Sequence, residues 1–224
     1  MNGLVDIPGD LRFGSVPLQR PIGLTSKRIV DIILSLSGIV LLAPLLIICS
    51  VVTFITSPGP IMFRHRRVGY NGKDFDCLKF RTMVSDAPAR LAQLLETDPV
   101  AAAEWSTNRK LRDDPRVTAI GSILRQSSLD ELPQLFNVLR GDMSIVGPRP
   151  VTEEELVMYA GAADAYLACR PGITGLWQVS GRSTTTYNKR IACDTFYARS
   201  WSMTLDAKII IVTLPALLLT DGAF

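Results

Sequence analysis

IILSLSGIVLLAPLLIICSVVTFI, residues 32–55, decides what kind of protein this chain can be. It carries no charge over its whole length, and as an α-helix it exceeds the roughly 30 Å hydrocarbon core of a bilayer. It lies too far into the chain and is too long for a signal-peptide core, and no small-residue cleavage site follows it, so it is expected to remain in the mature protein. Pro44, in its middle, removes one backbone hydrogen bond and tends to kink a helix. Basic residues flank both ends, Lys27 and Arg28 before it and Arg64, Arg66 and Arg67 after it, so the positive-inside rule gives no direction. Two geometries fit. One is an ordinary spanning helix with a tolerated proline. The other is a re-entrant helix that dips in, bends near Pro44 and returns, with Ser35, Ser37, Ser50 or Thr53 helping to satisfy the freed backbone groups.

Working outward, residues 1–25 hold Pro8, Pro17 and Pro21 with no apolar period and read as a flexible tail. Hydrophobic residues make up 47% of the 224, high for a soluble protein, which agrees with a membrane setting. The four cysteines, Cys49, Cys77, Cys169 and Cys193, form no C-x-x-C pair, so they indicate neither a disulfide framework nor a zinc site and suit a reducing compartment. The single histidine, His65, stands among Arg64, Arg66 and Arg67, which disfavours a His-activated nucleophile and leaves acid, base and nucleophile roles to carboxylates. A net charge of +3 gives no indication of nucleic acid as a partner. Neither a phosphate-loop nor a dinucleotide fingerprint occurs.

After the turn residues 56–60, residues 61–83 read as a β-hairpin closed by a two-residue Asn71-Gly72 turn. Its Arg64, Arg66, Arg67, Lys73, Lys79 and Arg81 form a rim attracted to anionic lipid heads, a cradle for phosphates, or both. Residues 86–96 and 100–110 read as amphipathic helices whose Ala and Leu stripes pack on the core. Residues 151–168, opening on Glu153, Glu154 and Glu155, read as a surface helix. Residues 170–183 read as a glycine-punctuated loop with an exposed Trp177, and 187–201 as a helix. The apolar run 209–219 is too short to span and is assigned to the interface or the core.

The densest chemistry lies in residues 127–150. Leu132, Leu135, Phe136 and Leu139 recur at helical spacing, and Gly141 follows as a stop. A Ser128-x-x-Glu131 capping box would leave Pro133 in the second turn, where its ring and missing N–H oppose a helix, so a start at Asp130 or Glu131 is preferred. There both carboxylates face the positive end of the helix dipole, which favours their ionised forms and also attracts phosphate. An ionised Asp can attack phosphorus and a neighbouring carboxylate can hold Mg2+. The same pair can equally do no more than complement a helix dipole. Arg125, five residues ahead of Asp130, is close enough for a phosphate-binding role or for a surface ion pair.

Lys79-Phe80-Arg81-Thr82-Met83, Asp114-Pro115-Arg116-Val117-Thr118, Ser128-Leu129-Asp130-Glu131-Leu132-Pro133-Gln134, Gly141-Asp142-Met143-Ser144 and Gly147-Pro148-Arg149-Pro150 resemble, in this order, the motifs of the bacterial sugar transferases, the monotopic polyprenyl-phosphate phosphoglycosyl transferases. The likeness runs from about Lys27 to the C-terminus. It implies a membrane enzyme that moves a sugar 1-phosphate from a UDP-sugar to undecaprenyl phosphate on the cytoplasmic face of the bacterial inner membrane. In that reading Asp130 is the nucleophile, Glu131 helps bind Mg2+, and Pro44 marks the bend of the re-entrant helix. The Ser that often precedes this proline in the family is Ala43 here. Arg149, held between Pro148 and Pro150, is the first candidate grip on phosphate, with Arg125, Lys79 and Arg81 behind it. The Gly172–Ser183 region resembles the hexose-1-phosphate branch and inclines the donor to UDP-glucose or UDP-galactose. Chain length suggests that the multi-helix N-terminal membrane domain of larger relatives is absent.

The expected fold is therefore α/β, a mostly helical monotopic membrane protein with a re-entrant N-terminal helix, a small β-hairpin and interfacial amphipathic helices. Its expected divisions are a tail over 1–25, a membrane helix over 26–57 and a catalytic domain over 58–224. Membrane lipids are expected partners, nucleic acid is not, and self-association into a homo-oligomer is left open. Two alternatives remain: a metal-dependent glycosyltransferase that releases UDP, and a non-catalytic scaffold for polysaccharide assembly.

Overall fold

The computed structural model describes residues 22–108, 111–181 and 186–218. Most of the expected tail lies outside them, but Ile22 packs on the core and its N–H reaches the Ala168 carbonyl. The apolar run forms one helix, α1 (Leu24–Thr56), which continues through Pro44. At 33 residues it is about 50 Å long. Its buried residues are Lys27, Asp31, Ser35, Leu46, Cys49 and Thr53, continued by Ser57, spaced so that they form one stripe along the helix. That stripe lies against the rest of the protein from end to end. At the start, Lys27 pairs with Asp206 at 2.6 Å, and Arg28 donates to the carbonyls of Val138 and Leu139. Asp31 Oδ1 accepts from Ser144 Oγ and the Ile145 N–H, both at 2.9 Å. At the far end, Leu46 and Cys49 pack with Phe80 and Leu124, and Arg81 donates to the carbonyls of Ser57 and Pro58. The other side exposes a band of large apolar residues that includes Ile33, Val40, Leu41, Ile47, Phe54 and Ile55. A continuous apolar band of this size marks a lipid or protein contact surface. Ser35 and Ser50 donate to Ile32 and Leu46 one turn back, not to the Val40 carbonyl that Pro44 leaves without its helical donor.

The expected hairpin is present, with β1 (Met62–Val68) antiparallel to β2 (Asp74–Phe80). Its connection is longer than two residues. Val68 pairs with Asp74, Gly69 N–H still reaches the Lys73 carbonyl, and Tyr70–Gly72 forms a 3-10 turn between them. Asn71 and Gly72 take the left-handed conformation their sequence favours, but Tyr70 is added to the turn, where its ring meets Arg170. Helices α2 (Ala87–Thr97) and α3 (Pro99–Asn108) follow. No residue of α2 is buried, so its Leu stripe packs only partly, against α3.

Helix α4 (Ala119–Gln126) is capped by Thr118, whose hydroxyl accepts from Gly121 N–H. It is followed by a 3-10 turn over Leu129–Glu131 and by α5 (Gln134–Arg140), which Gly141 ends in a left-handed conformation. The Ser128 capping box does not form, in keeping with the position of Pro133. The acidic pair, however, precedes α5 in its own turn rather than occupying its first turn, because Pro133 has no N–H to extend an α-helix backwards. Asn137, fully buried in α5, accepts from Leu78 N–H and donates to the Asp76 carbonyl, tying β2 to this helix. Asn137→Ala orphans both backbone groups and is expected to destabilise the protein by on the order of 2–4 kcal/mol, measured by thermal unfolding in detergent.

β3 (Ser144–Val146) lies parallel to β4 (Gly172–Thr174). At Gly147 a side chain would meet the Arg170 carbonyl at 2.3 Å, so only glycine lets these two segments approach and launch the Pro148–Pro150 loop. The expected surface helix over 151–168 is broken. α6 (Glu153–Val157), closed by a Thr152/Glu155 capping box, is followed by a 3-10 turn at Ala160–Ala162 and by α7 (Ala163–Leu167). Ala160 at φ 44 makes the break and turns Tyr159 and Tyr166 into the core. The 170–183 stretch is also more ordered than a loop: Leu176–Val179 form α8, with Trp177 partly buried, while Arg182 and Ser183 fall outside the described residues. α9 (Tyr187–Ser200) and α10 (Met203–Leu218) are the last elements among the described residues.

Candidate active site

The Leu129–Glu131 turn presents its two acids differently. Ser128 at φ 56 reverses the chain after α4, and Asp130 turns inward until it is 8% exposed. Glu131 points to Lys79 on β2, whose Nζ lies 2.7 Å from Glu131 Oε1 and 3.6 Å from Asp130 Oδ2. Arg149, carried over by the loop after β3, reaches the same Glu131 oxygen at 3.4 Å. Residues far apart in the chain therefore meet because β2, the acidic turn and the β3 loop share the α5 scaffold.

This surrounding separates the two carboxyl groups. Burial pushes Asp130 up, helped by the negative charge of Glu131 and opposed by Lys79, Arg125 and Arg149. Burial acts on Glu131 in the same direction, yet Arg149 and Lys79 outweigh it and hold that carboxyl down to about 2. One acid is thus favoured in its charged form by two close cations, and the other is a buried group, with Lys79 at a longer distance, whose ionisation is disfavoured. Adjacent carboxyls with divided properties of this kind suit a reactive nucleophile beside a fixed electrostatic partner.

Of the residues singled out from sequence, Asp130, Glu131, Lys79 and Arg149 come together. Arg125 stands behind them: its Nε donates to Thr82 Oγ1 at 2.9 Å, and its charge acts on Asp130. Arg81 is directed elsewhere, its guanidinium clamping the carbonyls at the end of α1, so it acts as a structural tie rather than a phosphate grip. The corresponding stretch Asp114–Arg116 is also structural, with Arg116 donating to both oxygens of Asp114.

Sequence reasoning missed the support behind Arg149. Arg190, on α9 and 6% exposed, donates to the Arg149 carbonyl at 3.1 Å. Its guanidinium lies against the rings of Trp177 and Tyr187 and 3.7 Å from Glu155, which in turn holds Arg67 at 2.9 Å. Asp194, buried and bonded by the Tyr159 hydroxyl at 2.6 Å, lies at the other side of Arg190. No local pattern distinguishes an arginine in the first turn of a polar helix from a solvated one, so only the assembled fold reveals it.

Among the described residues no group of three or more Asp, Glu, His or Cys side chains converges. What the site offers a cation is two adjacent carboxylates. That is too few for a closed zinc or calcium site, but it suits Mg2+, which commonly takes one or two carboxylates and completes its shell with water and substrate phosphates.

A mostly helical domain with a partly buried, cation-ringed carboxylate pair, held along an apolar helix exposed on one side, fits a membrane-associated protein whose centre receives an anionic substrate. The chain belongs to the bacterial sugar transferase family, whose model matches residues 22–220. It is 49% identical to the exopolysaccharide production protein ExoY of Sinorhizobium fredii over 92% of this chain and 91% of that one. It is 47% identical to the undecaprenyl-phosphate galactose phosphotransferase of Salmonella typhimurium, over 88% of this chain and 41% of that protein. Identity to the UDP-glucose:undecaprenyl-phosphate glucose-1-phosphate transferase of Caulobacter vibrioides is 41%, over 93% of this chain and 75% of that one.

Proposed function

We propose that this protein transfers a hexose 1-phosphate, from UDP-glucose or UDP-galactose, to undecaprenyl phosphate in exopolysaccharide synthesis, through a phosphosugar held on Asp130. The observation that carries the proposal is the division of the acidic pair: Glu131 locked by Lys79 and Arg149, Asp130 buried and adjacent with its pKa raised. The names of the relatives supply the donor and acceptor classes.

An Asp130 carboxylate oxygen attacks the β-phosphorus of the donor, and the bond from that phosphorus to the bridging oxygen breaks. UMP leaves with the electron pair, and an acyl phosphate carrying the sugar remains. A phosphate oxygen of the lipid then attacks the same phosphorus, and Asp130 leaves as its carboxylate. Lys79, Arg149 and Arg125 stabilise the charge on the phosphoryl oxygens in both steps. Glu131 is the residue that would help hold Mg2+, which when bound would supply further neutralisation of phosphoryl charge.

We also place α1 in one leaflet, dipping in and returning near Pro44, with the active site on the cytoplasmic face. The support is that Lys27 at one end and Ser57 at the other are both bound to the same globular body, an arrangement compatible with both ends on one side of the membrane. A site held at that depth meets a lipid phosphate without withdrawing its tail from the bilayer.

Incubating purified protein with Mg2+, undecaprenyl phosphate and a panel of UDP-sugars tests the reaction. Release of UMP supports it. UDP as the nucleotide product would identify direct glycosyl transfer, and no turnover with any donor would favour an assembly scaffold. In the same assay, Arg190→Lys keeps the charge but loses the planar fork that positions the Arg149 loop, and kcat/KM is expected to fall about tenfold.

A further inference from the structure

Beside the far end of β1, against the start of α6, lies a cleft of about 310 Å3 bordered by His65, Arg66, Arg67, Asp74, Glu153 and Glu154. Its volume falls in the range of small-ligand sites. We propose that this cleft receives the nucleoside of the nucleotide-sugar donor, whose diphosphate then extends along β1 to Lys79 and Asp130. The inference rests on the transfer reaction proposed above.

Strand register connects the two places. Phe63 pairs with Lys79, His65 with Cys77 and Arg67 with Phe75, so Phe63, His65, Arg67 and Lys79 share one face of the hairpin. From the Phe63–Lys79 pair to His65 is two residues, about 7 Å along the strand. His65 borders both regions, lining the cleft while its ring lies within the influence of Lys79.

The strand also has a direction relative to α1. At its beginning Met62 packs with Leu46 and Cys49 of that helix, whereas at its end Val68 packs with Tyr159 and Tyr166. The cleft therefore lies at the other end of β1 from its packing against the Leu46 and Cys49 cluster. A lipid-tethered phosphate must arrive from the α1 side, which leaves the opposite end to the water-soluble substrate.

The charges in the cleft favour a nucleoside over a phosphate. Arg66 is paired with Asp74 at 3.0 Å, and Arg67 with Glu155 at 2.9 Å. Glu153 and Glu154 add carboxylates that repel phosphate and can accept hydrogen bonds from a ribose diol. Arg67 Nη2 lies 3.2 Å from His65 Nδ1. Since arginine can only donate, Nδ1 accepts and the imidazole proton resides on Nε2, a donor suited to a base carbonyl. Burial, with Arg67 and Lys79, lowers the pKa of this histidine and keeps the ring neutral.

The test uses the full chain in lipid nanodiscs with the UDP-sugar it turns over, and measures KM for donor, KM for undecaprenyl phosphate and inhibition by UMP. Glu153 and Glu154 are exposed, so the double variant Glu153→Gln/Glu154→Gln leaves packing intact, and His65→Ala is the second probe. Donor KM and the UMP inhibition constant are expected to rise about tenfold while acceptor KM stays unchanged. Unchanged donor KM and UMP inhibition in both variants, or a rise in acceptor KM instead, would overturn the assignment. Calorimetric titration of UMP into the Asp130→Asn protein, with and without the cleft substitutions, separates the two ideas. If these substitutions do not weaken UMP binding, the cleft proposal fails whatever the protein catalyses. If they weaken it while the unmodified chain releases no UMP from any donor, the transfer reaction fails and the cleft stands.

Discussion

Asp130→Asn is expected to eliminate the covalent phosphosugar adduct and to lower UMP release by about four orders of magnitude or more, because the adjacent Glu131 is held closely by both Lys79 and Arg149 and cannot take its place. Intact-mass analysis after incubation with donor reads the adduct directly. The variant should fold at least as well as the parent. In the native protein burial raises the Asp130 pKa, so between its unfolded and folded values the folded state binds more protons. Its contribution to stability is therefore present at low pH and lost as pH rises through the folded value. Asparagine removes that loss, and at neutral pH the melting temperature should hold or increase while activity vanishes. The same shift moves the acid limb of the parent's rate profile to higher pH than an ordinary aspartate would give, since protonated Asp130 cannot attack. Glu131, held to about 2, plays no part in that limb. An adduct that persists in Asp130→Asn would remove the basis of the mechanism.

Lys27→Met is expected to destabilise the protein by on the order of 3–5 kcal/mol, since it leaves Asp206 buried without its cation. Both side chains are about nine-tenths buried, and the pair lies at 2.6 Å. Asp206 is also the meeting point of the Tyr197 hydroxyl at 2.7 Å and the Trp201 indole N–H at 3.1 Å. The loss should thus spread from the start of α1 into α9 and α10. Limited proteolysis in detergent, read at the N-terminal end of α1, checks the direction. Lys27→Met/Asp206→Leu removes both charges and should recover most of the lost stability; failure to do so would mean that the hydrogen bonds of Asp206, rather than the ion pair, hold these helices together.

The element order of this protein is largely legible in its sequence because local chemistry specifies it. An uncharged 24-residue run has no alternative to a long buried or lipid-facing helix, Gly141 ends α5 where a left-handed residue is needed, and the hairpin forms on either side of Asn71-Gly72. The acidic pair was visible for the same reason: two carboxylates followed by Pro133 fix where a helix can begin, although Pro133 puts them in a turn ahead of α5. The interruption of 151–168 was not visible, since a positive φ at Ala160, which accompanies the burial of Tyr159 and Tyr166, has no sequence signature.

Which cations serve the acids was decided by tertiary structure alone. Lys79 and Arg81 are two residues apart and both cationic, yet Lys79 meets Asp130 and Glu131 while Arg81 ties down the carbonyls after α1. Arg190 and Asp194 become part of the Arg149 support only when α9 packs beside the β3 loop. Sequence by itself determined the long apolar helix, the hairpin and the pair of acids, because those depend on hydropathy, turn chemistry and backbone sterics within a few residues. The different ionisation of Asp130 and Glu131 depends on burial and on charges brought from two distant segments, β2 and the β3 loop, and these quantities exist only once the chain has folded.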